Sequence, residues 1–313
     1  MPEVSVIIPT YNSAQFLVEA LQSVFDQTFK DYEIIIVDDG STDHTKQLIS
    51  RYINEIKYIF QENAGPAKAK NRGIMSSSGI YVAFLDADDV WLPTKLEKQV
   101  SVFHQDQELA MVFTENSCFD EKRGIFQRSI GKRNKLMNGD IARNIFLHSG
   151  VSTPTVMVRR EIFNEVGLFE EELYMGEDDN MWVRIASNFK VELIDEPLVK
   201  VRSHPNRTTV NKSKLFESIQ TNINLLSCRY KGVKKRIEDV IPLKLSRLQF
   251  EVGYHHFENL DFGKARKAFA RGIRHHIWNW KNYQYWLLSL LPEKVVARTK
   301  WLKRKLLSST INY

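Results

Sequence analysis

Apolar runs of strand length alternate with segments of helical spacing over the first 115 residues. The runs are rich in valine and isoleucine, which favour strands, and the segments between them have apolar residues three and four positions apart. The predicted strands are 4–8, 33–40, 56–60, 81–85 and 109–115, and the predicted helices are 13–25, 41–53, 65–77 and 93–105. Ser13 is the predicted N-cap of the first helix.

The predicted strands are apolar on both faces, as parallel strands covered by helices require. We therefore predict an α/β fold with a doubly wound sheet. Such sheets bind ligands beyond the carboxyl ends of their strands, and polar segments follow three of these ends: "PTYN" (9–12), "DDGS" (38–41) and "DADD" (86–89). Neither G-x-G-x-x-G nor G-x-x-x-x-G-K-[ST] occurs, so a glycine-rich phosphate loop is not indicated.

The charge is divided unevenly along the 313 residues. Residues 229–313 carry 19 Lys and Arg against 6 Asp and Glu, a net charge of +13, whereas residues 1–228 have a net charge of −7. The basic part is expected to meet an anionic partner, with a solvated helical surface as the alternative. Two distant cysteines, Cys118 and Cys228, do not indicate a disulfide framework. The N-terminus has the pattern of a strand and not of a signal peptide.

Two carboxylates lie two residues apart where a strand ends, at Asp86 and Asp88. In extended backbone they point the same way. Paired carboxylates are the oxygen ligands of Mg²⁺ or Mn²⁺, and Mg²⁺ commonly fills its remaining positions with water and substrate phosphates. An Asp-rich turn that caps the helix from Pro93 is the alternative.

A second acidic cluster lies in "GEDDNMWVRIAS" (176–187), where the apolar residues have the spacing of a buried helical stripe. Glu177, Asp178 and Asp179 then occupy the first turn of that helix. The helix dipole favours acidic residues there by about 0.3–1 kcal/mol each, so their presence has a structural explanation as well as a functional one.

Five segments together resemble a known family: "VSVIIPTYN", "VDDGSTD", "NAGPAKAKNRG", "YVAFLDADDVWLPTKLE" and "GEDDNMWVRIA". They resemble, in order and spacing, the inverting nucleotide-sugar glycosyltransferases with the GT-A fold, glycosyltransferase family 2. The resemblance covers about residues 3–205. It implies a mixed, mostly parallel sheet in a nucleotide-sugar-binding and catalytic domain at 1–213, followed by a basic α-helical C-terminal region at 214–313.

The resemblance also implies roles for single residues. The implied nucleotide-sugar contacts are Pro9, Thr10, Tyr11, Asp38, Asp39, Lys70, Asn71, Asp86 and Asp88. Tyr11 would lie against the base and Asp39 would hydrogen-bond it, whereas from the residues alone Tyr11 could be a core aromatic and Asp38 and Asp39 could cap the helix from Ser41. Lys70 stands where the family usually has arginine, and it lacks the planar fork of a bidentate phosphate contact.

The implied metal ligands for Mg²⁺ or Mn²⁺ are Asp88, Asp86 and His204. The implied catalytic base is Asp178, because sugar transfer with inversion needs a group that takes the proton of the acceptor hydroxyl. The implied acceptor side contains Glu177, Asp179 and Trp182.

These features predict a metal-dependent inverting glycosyltransferase of the hexosyl or N-acetylhexosaminyl class. It would use a nucleotide-diphosphate sugar, commonly UDP-linked, and a glycan or lipid-linked acceptor, as in cell-surface polysaccharide assembly. The alternative is a non-catalytic nucleotide-sugar-binding or scaffold protein that acts through its helical tail.

The predicted location is cytoplasmic and peripheral on the inner face of the plasma membrane. Within the tail, residues 252–273 predict a helical hairpin, and 275–307 mix Trp and Tyr with Lys and Arg. That mixture predicts an interfacial helix on an anionic membrane surface, with docked helices as the alternative. Nucleic acid is not an expected partner, because no RNA- or DNA-binding motif occurs.

Overall fold

The computed structural model describes residues 1–120, 124–128, 140–204 and 212–292. The chain forms two compact units, Met1–Ile237 and the residues from Glu238 onward. The first unit includes two helices, Lys212–Cys228 and Lys231–Ile237. The domain boundary after residue 213 stays a prediction.

The first unit begins with alternating strands and helices, as the sequence predicts. Its elements are β1 (Val4–Thr10), α1 (Leu17–Phe25), β2 (Tyr32–Asp39), α2 (Thr45–Ile49), β3 (Lys57–Gln61), α3 (Pro66–Ser76), β4 (Tyr81–Phe84), β5 (Val90–Trp91), α4 (Lys95–Gln105), β6 (Leu109–Asp120), β7 (Gly124–Arg128), α5 (Ile141–His148), β8 (Val156–Arg159), α6 (Ile162–Val166), α7 (Glu177–Asn188), β9 (Lys190–Arg202), α8 (Lys212–Cys228) and α9 (Lys231–Ile237). Short 3₁₀ turns lie at Ser50–Tyr52 and Thr153–Thr155.

The predicted cap of the first helix is wrong. Helix α1 begins four residues later than Ser13. The Ser13 carbonyl accepts hydrogen bonds from the backbone N–H groups of Phe16 and Leu17, so Ser13 belongs to a separate turn that precedes the helix.

Nine strands in the described part of the chain form one sheet, in the order β3-β2-β1-β4-β8-β6-β9-β5, with β7 paired to β6. Neighbours β3, β2, β1 and β4 are parallel, and so are β6 and β9. The predicted doubly wound, mixed and mostly parallel sheet is thus confirmed. One detail differs: β8 lies antiparallel between β4 and β6 and separates two strands that are successive in the predicted alternation.

The strand register brings the carboxyl ends of β1, β2 and β3 to one edge. Thr10 is paired with Asp38, and Asp39 with Gln61. Strand β4 lies beside β1 and continues into Asp86 and the residues that follow. Buried apolar residues of these strands and of α1 fill the core beneath this edge.

The second unit contains α10 (Ile241–Glu258), α11 (Phe262–His275) and α12 (Trp280–Leu288). Helices α10 and α11 form the hairpin predicted for 252–273. They approach closely at Gly253, where an added Cβ would lie 2.5 Å from a ring carbon of Phe269. Residues 293–307 of the predicted interfacial helix lie outside the described residues. Within the described ranges, the helices are too short or too polar to cross a membrane.

A buried lysine links helix α4 to the loop before β8. Lys95 is fully buried, its Nζ donates to Gln99 Oε1 at 2.6 Å, and it lies 3.9 Å from the centroid of the Trp91 ring. Gln99 in turn donates to the carbonyls of Val112 and Thr155. Burial lowers the pKa of Lys95 well below its ordinary value, because the ammonium loses its water.

This pKa predicts how stability changes with pH. The unfolded chain holds the Lys95 proton up to a pKa of about 10.4, whereas the folded chain releases it at lower pH. Between these two pKa values the free energy of unfolding should rise with pH, by about 1.4 kcal/mol per unit, relative to Lys95→Met. Urea unfolding of both proteins at several pH values measures this difference. Parallel pH profiles would mean that Lys95 stays charged when folded.

Candidate functional site

The two loops that follow β1 and β2 are fixed to each other by hydrogen bonds. The backbone N–H of Asn12 donates to Ser41 Oγ at 2.9 Å, and that of Thr42 donates to Asn12 Oδ1 at 2.8 Å. Asn12 has a left-handed φ of 48°, a conformation that asparagine tolerates. The loop that presents Tyr11 therefore has a defined shape.

The three predicted residues of the first loop differ in exposure. Pro9 is half-buried and Thr10 is buried. Thr10 Oγ1 has no hydrogen-bond partner among the described residues. The side chain of Tyr11 is 50% exposed at the end of β1, so it is not a core aromatic and its ring is open to a ligand.

Both carboxylate oxygens of Asp38 accept hydrogen bonds. Oδ1 accepts from the backbone N–H of Ser41 at 2.8 Å, and Oδ2 accepts from the Tyr58 hydroxyl at 2.6 Å. Burial and this hydrogen bond raise the pKa of the Tyr58 phenol. Asp38 is fully buried, so its local role is to fix the turn at Ser41.

Asp39 anchors the loop between β3 and α3. Its Oδ1 accepts from Gln61 Nε2 at 2.7 Å and from the backbone N–H of Ala64 at 2.9 Å. Its Oδ2 accepts from the N–H of Gly65 at 2.8 Å. Gly65 precedes α3 with a φ of 94°, which only glycine adopts readily. Asp39 thus fixes the loop before α3, next to the carboxyl end of β1 that Tyr11 follows.

The D-x-D carboxylates lie in the turn between β4 and β5, and both are half-buried. His204 Nε2 lies 2.8 Å from Asp88 Oδ2. Arg202 Nε donates to the Asp88 carbonyl at 3.0 Å, and its guanidinium also pairs with Glu19. The end of β9 is thereby attached to this turn, and it brings two of the three predicted metal ligands into contact.

The acidic cluster of α7 faces the same edge of the sheet. Lys70 Nζ on α3 forms an ion pair with Glu177 Oε1 at 2.7 Å, and both side chains are buried. Burial alone would lower the pKa of Lys70, but the attraction of Glu177, Asp178 and Asp86 is larger and raises it. Lys70 is therefore the buried cation among these carboxylates.

The pKa of Asp86 is raised above its ordinary value. Burial raises the pKa of Asp86, and the charge of Lys70 acts in the opposite direction. The neighbouring carboxylates of Asp88, Asp178 and Glu177 raise it further. Side chains from α3, α7 and the β4–β5 turn consequently form one electrostatic cluster, although they are far apart in the sequence.

Asp178 is held at the first turn of α7 by two donors. The hydroxyl of Thr153 donates to Asp178 Oδ2 at 3.1 Å, and the backbone N–H of Asp179 donates to Oδ1 at 2.8 Å. Thr153 belongs to the 3₁₀ turn whose carbonyls accept from Trp91 Nε1 and Gln99 Nε2. Asp178 and Asp179 are half-buried.

Two predicted site residues have packing roles in the structure. The Asn71 amide donates to the Phe169 carbonyl and to Glu171, and its oxygen accepts from the Phe169 N–H, so it anchors the loop before α7. Trp182 is fully buried, with ring centroids 6.1 Å from Phe84 and 5.7 Å from Phe169. Their contacts with donor and acceptor stay predictions.

Three residues that the sequence did not indicate donate hydrogen bonds to predicted site carboxylates. Thr153 donates to Asp178, Gln61 to Asp39 and Tyr58 to Asp38. A signal existed for Gln61, because it ends β3 as the other polar residues end their strands. Thr153 gave none, since its contact with Asp178 depends on the tertiary fold.

The predicted metal ligands fit a hard divalent cation that binds few protein side chains. Asp88 and His204 are in contact, and His204 Nδ1 is buried without a hydrogen-bond partner among the described residues. Over the described ranges, three His, Cys, Asp or Glu side chains do not meet as a complete metal cage. A cation here would complete its shell with water and phosphate, as Mg²⁺ commonly does.

Sequence comparison identifies relatives of this chain. The model of glycosyl transferase family 2 matches residues 5–167. An uncharacterised glycosyltransferase of Rickettsia prowazekii is 31% identical over 80% of this chain and 77% of its own length. Bacillus subtilis TuaG, whose name refers to teichuronic acid biosynthesis, is 32% identical over 68% of this chain and 84% of its own. A longer relative from Rickettsia conorii, 38% identical over 64% of this chain, is matched over a third (33%) of its length.

Solved structures share the fold at low sequence identity. S. aureus TarS 1–349 in complex with UDP-GlcNAc has a TM-score of 0.60 and 20% identity, covering 91% of this chain and 89% of that one. The mannosyltransferase PcManGT from Pyrobaculum calidifontis, in complex with GDP-Man and Mn²⁺, has a TM-score of 0.56 and 17% identity, covering 92% and 86%. With its GT-A fold and these relatives, the chain belongs to glycosyl transferase family 2 and is a glycosyltransferase.

Proposed function

We propose that this glycosyltransferase moves a hexosyl or N-acetylhexosaminyl group, with inversion, from a UDP-linked donor to a hydroxyl of a glycan or lipid-linked acceptor. The observation that carries the proposal is the cluster of Asp86, Asp88 and Asp178 at the carboxyl edge of the sheet. A scaffold would need neither a held carboxylate nor the Asp88–His204 contact, so the non-catalytic alternative is not favoured.

The donor nucleotide is assigned to the ends of β1 and β2. The exposed ring of Tyr11 offers a face for the base, and Asp39 lies one strand away, about 5 Å in the sheet. Asp86 and Asp88 lie beside β1 on the other side, where the ribose and diphosphate would follow. The UDP-GlcNAc bound by TarS supports a UDP-linked donor.

Asp178 is assigned as the base. The acceptor oxygen attacks the anomeric carbon while the bond from that carbon to the diphosphate oxygen breaks, and the hydroxyl proton goes to Asp178. Inversion follows because attack and departure occur on opposite faces in one step. The nucleoside diphosphate leaves with the bonding electron pair. Glu177 is buried in an ion pair with Lys70, whereas Asp178 is half-buried at the same helix turn.

Asp88, His204 and Asp86 are assigned to hold Mg²⁺ or Mn²⁺. When bound, the ion stabilises the charge that develops on the leaving diphosphate. The Mn²⁺ in the PcManGT complex supports this assignment. The name of TuaG supports a glycan acceptor in cell-surface polysaccharide assembly.

Asp178→Asn should separate catalysis from donor binding. Loss of a positioned base should lower the rate of sugar transfer about 10²–10⁴-fold, whereas thermal stabilisation by UDP with Mn²⁺ should persist. The matched control is Asp31→Asn, an exposed residue just before β2 at the opposite end of the strands. Transfer by Asp178→Asn at the rate of the control would exclude Asp178 as the base.

Asp88→Asn should weaken the binding of UDP that depends on Mn²⁺. It removes a proposed metal ligand, so the part of the UDP-induced stabilisation that depends on Mn²⁺ should disappear. A ligand at 100 times its dissociation constant adds about 2.7 kcal/mol, a difference that thermal shift detects easily. Equal Mn²⁺ dependence in Asp88→Asn and wild-type protein would contradict the metal assignment.

Thr153 should act as a positioning residue for Asp178. Thr153→Val keeps the shape but removes the hydroxyl that donates to Oδ2, and a hydrogen bond to a charged group is worth about 1.5–3 kcal/mol. We expect kcat to fall by about tenfold or more with the donor KM little changed, and Thr153→Ser to restore the rate.

Thr155→Val is the matched control for Thr153→Val. It removes a buried hydroxyl from the same turn, one that donates to the Ser152 carbonyl and not to Asp178. If both valine variants lose the same activity, Thr153 acts only through the stability of the turn.

A further inference from the structure

The second unit exposes apolar side chains in the turn between α11 and α12. We call residues 277–280 the aromatic turn. Ile277 is 60% exposed, Trp278 82% and Trp280 69%. Tryptophan is mostly buried in folded proteins, and grouped exposed apolar residues mark an interaction site.

A basic stripe on α11 leads to the aromatic turn. The helix buries Ala265, Ala268, Phe269 and Gly272. Its outer face carries exposed basic residues at helical spacing, and we call Lys264, Lys267, Arg271 and Arg274 the basic stripe. Of the four side chains in the basic stripe, only Lys264 forms an ion pair with a carboxylate of the described residues, Asp261 at 3.0 Å.

The sequence that follows Asp261 is basic as far as Pro292. Residues 262–292 contain six Lys or Arg and no Asp or Glu. Such a surface attracts an anionic partner through its net field. The basic residues therefore favour an anionic partner, and the exposed apolar residues favour a partner that also has an apolar part.

Exposed apolar residues continue along α12. Trp280, Tyr283 and Leu287 are three and four residues apart, so they share one face of the helix, and Leu290 and Leu291 follow it. Nucleic-acid platforms stack bases on aromatic faces, a contact that isoleucine and leucine cannot provide. Aliphatic side chains instead partition into acyl chains, while the Trp ring suits the boundary between headgroups and hydrocarbon.

We propose that the aromatic turn and the basic stripe dock this chain on the surface of a bilayer that contains anionic lipid. Trp278 and Trp280 lie at headgroup depth, Ile277 enters the acyl boundary, and the basic stripe faces the lipid phosphates. The docking is independent of the proposed sugar transfer. Its electrostatic part weakens with salt, because the field of the membrane decays within a Debye length.

Vesicle flotation of the full chain tests this proposal. We expect it to float with phosphatidylcholine vesicles that contain phosphatidylglycerol, to float poorly with phosphatidylcholine alone, and to lose binding as salt is raised. Trp278→Ala with Trp280→Ala should weaken binding by about tenfold or more. Lys267→Glu with Arg271→Glu should remove the preference for phosphatidylglycerol.

Two controls match these changes elsewhere on the surface. Met75→Ala removes an apolar side chain that is 68% exposed. Lys234→Glu with Lys235→Glu makes the same change in net charge on exposed residues of α9. Both controls should float as the wild-type protein does. If Lys234→Glu with Lys235→Glu lost as much binding as the basic-stripe variant, net charge alone would explain the binding and the proposal would fall.

Tryptophan fluorescence gives a second readout. Vesicles that contain phosphatidylglycerol should shift the emission to shorter wavelength. In Trp278→Phe with Trp280→Phe the shift should be lost while flotation persists. The proposal is overturned if the shift remains in that variant or if the Trp-to-Ala variant floats normally. It is also overturned if the chain ignores vesicles and forms a dimer that the same substitutions abolish.

Discussion

Negative charge crowded at the carboxyl edge of the sheet is the constraint on which the site depends. Asp88, Glu177 and Asp178 act on Asp86 there, and Lys70 is the buried cation beside them. Burial raises the pKa of Asp86, and one ammonium does not offset the neighbouring carboxylates, which raise it further. A divalent cation, as proposed, would supply positive charge at this place and would bind the diphosphate of the donor.

Hydrogen bonds hold the segments that carry or surround these carboxylates. Asp39 fixes the loop before α3, which carries Lys70. Lys95 and Gln99 hold the turn that presents Thr153 to Asp178. Residues outside the site thus determine the orientation of residues inside it, and a preorganised polar site of this kind is what catalysis by positioning and electrostatics requires.

The sequence predicted the sheet and its functional edge because both follow from local patterns. β-branched runs mark the strands, and polar residues mark where they end. The insertion of β8 beside β4 could not be predicted, since strand order depends on pairing between distant segments. The Lys70–Glu177 ion pair joins residues 107 positions apart. The family resemblance implied a nucleotide-sugar contact for Lys70, and only the folded chain shows its carboxylate partner.

Anomalous diffraction from crystals grown with UDP and Mn²⁺ tests the central claim most directly. We expect one manganese peak at the Asp88–His204 pair, in contact with the diphosphate, and the uracil ring against Tyr11. Manganese bound at a different surface, or a diphosphate bound away from Asp86 and Asp88, would contradict it.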